Sequence, residues 1–207
     1  MKEISVSFLK EGNYKEYIRQ INETDADYIH FDVMDGKFVQ AKNLPLKDLT
    51  SLLKISTKKN DVHLMVENPN KYIETLSLYN IEYITIHIEI NNFEKYLDKI
   101  INYGIKAGIA ISPETNIEKV YPYLTKAKEV LIMGVHPGKS GQEFLDIAED
   151  KIIKLKKYLN DNNIDVKIAI DGGVNDQVLD KIKEADIIVS ASYILNDFHN
   201  IQKLKEL

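Results

Sequence analysis

Apolar residues along the chain concentrate in short runs rich in Ile, Val and Tyr, at 4–8, 28–33, 61–66, 83–88, 106–111, 129–135, 166–171 and 186–190. β-branched and aromatic side chains fit a pleated surface, and runs this short read as strands. Between the runs the apolar positions shift to helical spacing, as in Phe93, Tyr96, Leu97, Ile100 and Ile101. A second such stripe is Ile147, Ile152, Leu155 and Leu159, with lysines between. Each predicts an amphipathic helix with one face turned to a core. Asn68 before Pro69, and Asn175 before Asp176, stand where helix caps are wanted. Strands alternating with about eight helices imply parallel pairing through right-handed crossovers. Dividing 207 residues among eight units leaves about 26 each, barely enough for a strand, a helix and two short loops. No linker, low-complexity tract or composition shift interrupts this rhythm. The pattern predicts an α/β fold, a single (β/α)8 TIM barrel over residues 1–207, with a doubly wound open sheet as the alternative.

Composition narrows the chemistry. There is no cysteine, which removes thiol catalysis, thiolate-bound clusters and zinc fingers and fits a reducing compartment. A net charge of −5, from 27 basic and 32 acidic residues, argues against broad nucleic-acid binding. No targeting signal is visible, and no apolar run approaches the ~20 residues of a membrane helix. The expectation is a soluble cytoplasmic protein without nucleic-acid or membrane partners. Contacts between copies of such a barrel would lie on the outer helices, where no signature is readable, so a homo-oligomer stays open.

In a parallel α/β fold the loops at the carboxyl ends of the strands build the active site. Four of the five histidines fall there. His30 and Asp32 stand two residues apart on one strand and therefore face the same way. His63 ends the next strand with Met65 on its face, and His87 with Glu89 ends the one after. Asp171 closes the apolar run Ile168-Ala169-Ile170. A lone strand histidine is usually a hydrogen-bonded core residue, but an ionised carboxylate beside it needs a partner or a metal to offset desolvation. His30, Asp32, His63 and Asp171 together form a mixed N/O set suited to one divalent ion, Zn2+, Fe2+ or Mn2+. His87 and Glu89 read equally as supports of that set or as a spare ligand pair. Asp35 with Gly36 reads as a plain turn, and His199 as a solvated helix residue. Met34, Met65 and Met133 serve either as core filler or as the soft apolar floor of a substrate pocket.

Glycines gather after the last three strands. Gly134 through Gln142 contains Gly138-Lys139-Ser140-Gly141, whose Gly-Lys-Ser resembles the end of a nucleotide-binding P-loop. The spacing fails, because the motif's first glycine would fall at Met133. A gentler reading keeps the physics: glycines let backbone N–H groups approach an anion, helped by the helix start that follows. Asp171-Gly172-Gly173-Val174 and Ser190-Ala191-Ser192 repeat the device where barrel enzymes commonly hold a phosphate.

These motifs, in order and over nearly the whole chain, resemble ribulose-phosphate 3-epimerase. His30-Phe31-Asp32-Val33-Met34-Asp35-Gly36-Lys37-Phe38-Val39 is similar to the family's signature, as are His63-Leu64-Met65-Val66 and His87-Ile88-Glu89. The segments 133–144 and Asp171-Gly172-Gly173-Val174 resemble its later motifs. The resemblance implies a metal-dependent isomerase of the pentose phosphate pathway that interconverts ribulose 5-phosphate and xylulose 5-phosphate. His30, Asp32, His63 and Asp171 would bind the metal, and Asp32 and Asp171 would serve as acid and base on opposite faces of the sugar. Ser7 would match the family's substrate serine, with His63, the three methionines and Val174 also facing substrate. The phosphate would sit on Gly138, Lys139, Ser140, Gly141, Gly172, Gly173, Ala191 and Ser192. Inverting a carbon beside a carbonyl calls for just such a pair of acids flanking it. The chain departs from the family at Lys139-Ser140, Ser112-Pro113, Gln40-Ala41 and Ala191. A ketohexose 6-phosphate epimerase, a phosphate-binding barrel lyase or decarboxylase, and a non-catalytic ligand-binding barrel are the alternatives.

Overall fold

The structure is a computed structural model and describes residues 1–9, 12–139 and 141–207. Eight parallel strands close into a barrel: β1 (Glu3–Ser7), β2 (Tyr28–Asp35), β4 (Lys59–Met65), β5 (Tyr83–His87), β6 (Lys106–Ile111), β7 (Glu129–Met133), β8 (Lys167–Asp171) and β9 (Ile187–Ser190). β1 pairs with both β2 and β9, so the ring has no edge and the open-sheet alternative is excluded. A two-residue strand, β3 (Lys42–Asn43), runs antiparallel to the end of β2. It was too short to show any sequence period.

Around the barrel lie α1 (Tyr14–Asn22), α2 (Leu46–Leu53), α3 (Asn70–Leu76), α4 (Phe93–Asn102), α5 (Ile147–Asn162), α6 (Leu179–Ile182), α7 (Ser192–Asn196) and α8 (Asn200–Lys205). After β6 the expected helix is instead a 3-10 segment, Ile117–Tyr123, with Pro122 inside it and no N–H there to sustain an α-turn. Asn13 caps α1, its Oδ1 accepting from the amides of Lys15 and Glu16. Asn68 accepts from the Asn70 amide at 3.1 Å, just ahead of α3. Asn175 accepts from Gln177 in a turn that precedes α6 and does not cap it. The helical stripes hold for Phe93, Leu97, Ile100, Ile152, Leu155 and Leu159, all buried, while Ile101 and Ile147 face outward.

Strands in such a barrel are buried on both faces, so the alternation along them is one of chemistry. On β2, Ile29, Phe31 and Val33 join the helix side chains, such as Ile18 and Leu49, in the main apolar cluster. The intervening Tyr28, His30, Asp32 and Met34 turn into the barrel. The closed N-terminal end carries Tyr28 against Tyr83 at 5.9 Å between rings, the Tyr28 hydroxyl on Glu3, and Lys167 paired with the same Glu3 at 2.6 Å. The polar interior positions above them converge toward the C-terminal mouth.

Candidate active site at the barrel mouth

Register brings the strand-end residues together. β2 and β4 align His30 with Asp61, Asp32 with His63 and Met34 with Met65, while β7 and β8 align Met133 with Asp171. Donor atoms of His30, Asp32, His63 and Asp171 all lie within 4.8 Å of one another. Asp32 Oδ1 stands 3.2 Å from His63 Nδ1 and 3.3 Å from His30 Nε2. His63 Nδ1 is also 3.9 Å from Asp171 Oδ2. His30 Nε2 is buried and, among the described residues, has no hydrogen-bond partner, although it faces this cluster. An orphaned imidazole nitrogen among two carboxylates and a second imidazole is a donor set that fits one divalent cation.

The supports of these groups were only partly visible in the sequence. His30 Nδ1 is held at 2.7 Å by Asp61 Oδ2, which also accepts from Ser5 Oγ. Asp61 stands near the start of its strand, and its partnership depends on register, so no local motif announced it. Ser7 Oγ donates to Asp32 Oδ2 at 2.8 Å, which commits the expected substrate serine to a catalytic candidate. Asn43 on the small antiparallel strand donates to the Asp32 carbonyl and accepts from Tyr14. Asp35 caps its turn through Lys37 and Phe38 amides and also takes the Glu67 amide.

His87 Nε2 meets His63 Nε2 at 2.9 Å, and its Nδ1 meets Glu89 Oε2 at 3.1 Å. Neither His87 nor Glu89 belongs to the donor cluster. Deeper in the barrel, Glu129 accepts from Thr85. Burial, reinforced by the charge of Asp61, pushes Glu129 well above the usual carboxylate range.

The two aspartates are displaced in opposite directions. Burial opposes ionisation of Asp32, but the charge of His30 beside it, aided by His63, holds it well below the ordinary range. Burial and the neighbouring charge of Asp32 push Asp171 up to about 7. His30 loses from burial but is raised well above its ordinary value by Asp61 and Asp32. Burial drives His87 down to about 4, while Glu89, despite burial, is brought to about 2 by His87 and the Ser112 amide.

A cavity of about 380 Å³ opens over these groups. Ser7, Asp32, Asp171 and the three expected methionines line its floor, and Gly138, Lys139, Gly141, Gly172, Gly173, Val174, Ala191 and Ser192 line its rim. His30 and His63 do not line it; they stand behind the carboxylates, fully enclosed. Ser140 lies outside the described residues. Gly172 and Gly173 are required as glycines: their φ values are +100° and +72°, and a Cβ on Gly173 would stand 2.7 Å from the Phe144 backbone. Asn175, Asn196, Ser190 and His136 also line the cavity. Ser190 and His136 lie in segments the sequence singles out, Asn175 reads there only as a cap, and Asn196, a lone polar residue, carries no signal.

A closed barrel of eight parallel strands, with imidazoles and carboxylates converging under a cleft at its C-terminal mouth, defines a (β/α)8-barrel protein of the enzymatic type. The solved structures it is similar to share that fold. They include a mutant tryptophan synthase α-subunit from Pyrococcus furiosus (TM-score 0.70, 13% identity, 99% of this chain and 95% of that one). Another is phosphoribosyl anthranilate isomerase from Thermococcus kodakaraensis (TM-score 0.64, 14% identity, 94% and 90%).

The sequence profile of the ribulose-phosphate 3 epimerase family matches residues 3–195. A ribulose-phosphate 3-epimerase of Helicobacter pylori strain J99 is 36% identical over 174 residues, covering 83% of this chain and 80% of its own length. Those of Methanocaldococcus jannaschii (34% over 186 residues, 88% and 79%) and Synechocystis (32% over 198 residues, 93% and 85%) are similar along the same span. The chain belongs to the ribulose-phosphate 3-epimerase family, and is accordingly an enzyme of the isomerase class, an epimerase. Among the described residues no helix is long and apolar enough to cross a membrane.

Proposed function

We propose that this chain acts as one catalytic domain in the cytoplasm and interconverts D-ribulose 5-phosphate and D-xylulose 5-phosphate by inverting C3. The observation that carries this reading is the pair Asp32 and Asp171. Both line one cavity, one held ionised and the other pushed up to about 7. Two carboxyls whose environments drive them apart supply a base and an acid at the same pH.

In one direction Asp32 takes the C3 proton, charge spreads over an enediolate, and Asp171 returns a proton to the other face. The reverse reaction exchanges their roles. Ser7 keeps the Asp32 carboxylate oriented through its 2.8 Å hydrogen bond. Met34, Met65 and Met133 cover the carbon skeleton and keep water from it. The loops bearing Gly138, Gly172, Gly173 and Ala191 receive the phosphate. A divalent cation held by His30, Asp32, His63 and Asp171, with Zn2+, Fe2+ and Mn2+ suited to the donors, supplies Lewis-acid neutralisation of the enediolate when bound.

Asp32→Asn and Asp171→Asn test the assignment. Each is expected to lower kcat by at least ~10³-fold, because acid–base groups contribute ~10²–10⁴ each. Circular dichroism should match the parent. Near-native turnover in either variant would contradict the roles given. Because Lys139 lines the cavity at a loop position where the chain departs from the family motif, kcat/KM for the pentulose 5-phosphate and a ketohexose 6-phosphate should be compared. The pentulose is expected to be preferred.

A further inference from the structure

We propose that His87 and Glu89 are positioning residues that fix the proton on the outer nitrogen of His63 and so keep its inner nitrogen free to hold the cation. The inference rests on the metal reading of the His30, Asp32, His63 and Asp171 cluster. His63 has two ring nitrogens in different settings. Nδ1 faces the donor cluster, 3.2 Å from Asp32 Oδ1 and 3.9 Å from Asp171 Oδ2. Nε2 points away and meets Nε2 of His87 at 2.9 Å. A contact of that length between two ring nitrogens requires a proton on one of them.

Glu89 decides which. An ionised carboxylate only accepts hydrogen bonds, and Glu89 Oε2 lies 3.1 Å from His87 Nδ1. The His87 proton therefore sits on Nδ1, its Nε2 is left as an acceptor, and His63 must donate from Nε2. Nδ1 of His63 is then an open lone pair aimed at the cluster. Metal-binding histidines are commonly held this way by a group beyond the ligand shell. Here the holding carboxylate acts through a second imidazole. For His30 the arrangement is direct, with Nδ1 on Asp61 at 2.7 Å.

The relay is anchored at its far end. Glu89 Oε1 accepts from the Ser112 amide at 2.9 Å. The Ser112-Pro113 turn is pinned by Lys151, buried on α5, whose Nζ donates to both carbonyls at 2.8 and 2.7 Å. The Phe38 ring lies 4.5 Å from the His87 ring, centroid to centroid, and restricts its rotation. The fixed elements run continuously from an outer helix to the barrel mouth: Lys151, Ser112, Glu89, His87, His63.

Substitutions at position 87 separate hydrogen bonding from packing. Glutamine can accept from His63 through Oε1 and donate to Glu89 through Nε2, whereas leucine fills the space and does neither. Chelator-stripped protein is titrated with Co2+ against a chromophoric competitor, and the visible Co2+ spectrum is recorded. The parent is expected to bind, His87→Gln to stay within about threefold, and His87→Leu to weaken by about 10–100-fold with a changed spectrum, the usual effect of losing such a partner. Glu89→Gln, which can offer N–H in place of the acceptor, is expected to weaken binding at least threefold and carries the test should the leucine variant not fold. Parent-like affinity and spectrum in folded His87→Leu or in Glu89→Gln would overturn the relay while leaving the metal site intact. Equal losses in folded His87→Gln and His87→Leu would overturn it in favour of simple packing. A parent that takes up no Co2+ would overturn the metal reading and the relay together.

Discussion

Asp171 sits among groups that make its charge costly. Its side chain retains 15% exposure, and the nearby Asp32 is held ionised by His30 and His63. Its carboxyl is therefore raised from 3.8 to about 7. A group raised in the folded state favours folding fully below its unfolded value, and that contribution is lost as pH rises through about 7. Asparagine cannot ionise and avoids the loss. Chelator-stripped Asp171→Asn is expected to exceed the stripped parent in stability at pH 8 by on the order of 1–3 kcal/mol, with the gap closing toward pH 4. Urea melts at the two pH values check this; a gap independent of pH would contradict the raised value. At this scale the four cluster residues were legible because strand alternation puts His30 and Asp32 on one face. Asp61 was not, since its partnership with His30 exists only through the β2–β4 register. Ser7 reads as a substrate contact, yet its bond to Asp32 exists only through the β1–β2 pairing.

The strands were legible to within two residues at each end, because a buried parallel strand reads as a β-branched run whatever its neighbours. Less legible were elements set by local backbone demands, namely the two-residue β3 and the 3-10 turn around Pro122. The helical stripes overreached at their margins: Ile101 and Ile147 continue the period but face solvent where the helix surface curves away from the barrel. One interior position shows how tightly the strands are fitted. A Cβ on Gly108 of β6 would stand 2.1 Å from Thr85 Oγ1 on β5, the hydroxyl that donates to buried Glu129. Gly108→Ala is expected to destabilise the protein by about 1–3 kcal/mol, the usual cost of overpacking a filled interior. A urea midpoint equal to the parent's would show that β5 and β6 have more room than their spacing implies.

For the whole molecule, closure of β1 onto both β2 and β9 turns eight short units into one ring whose mouth collects every strand end. At 207 residues the loops are short, and the cavity is built from strand ends and glycine turns. A ligand that binds the folded ring alone stabilises all of it. At a concentration 100 times its dissociation constant, a divalent cation contributes ~2.7 kcal/mol, which for a chain of this size is ~5–10 °C in Tm. Chelator treatment is expected to lower Tm by about that amount and Mn2+ or Zn2+ to restore it; an unchanged Tm would argue against a cation in the cluster. The most direct measurement is incubation of ribulose 5-phosphate with metal-loaded protein in deuterated water, followed by sugar and mass analysis. Xylulose 5-phosphate carrying one solvent deuterium at C3, formed by the loaded protein and not by the stripped one, is the expected result. A sugar phosphate recovered intact without deuterium, or one cleaved to fragments or carbon dioxide, would contradict epimerisation by Asp32 and Asp171.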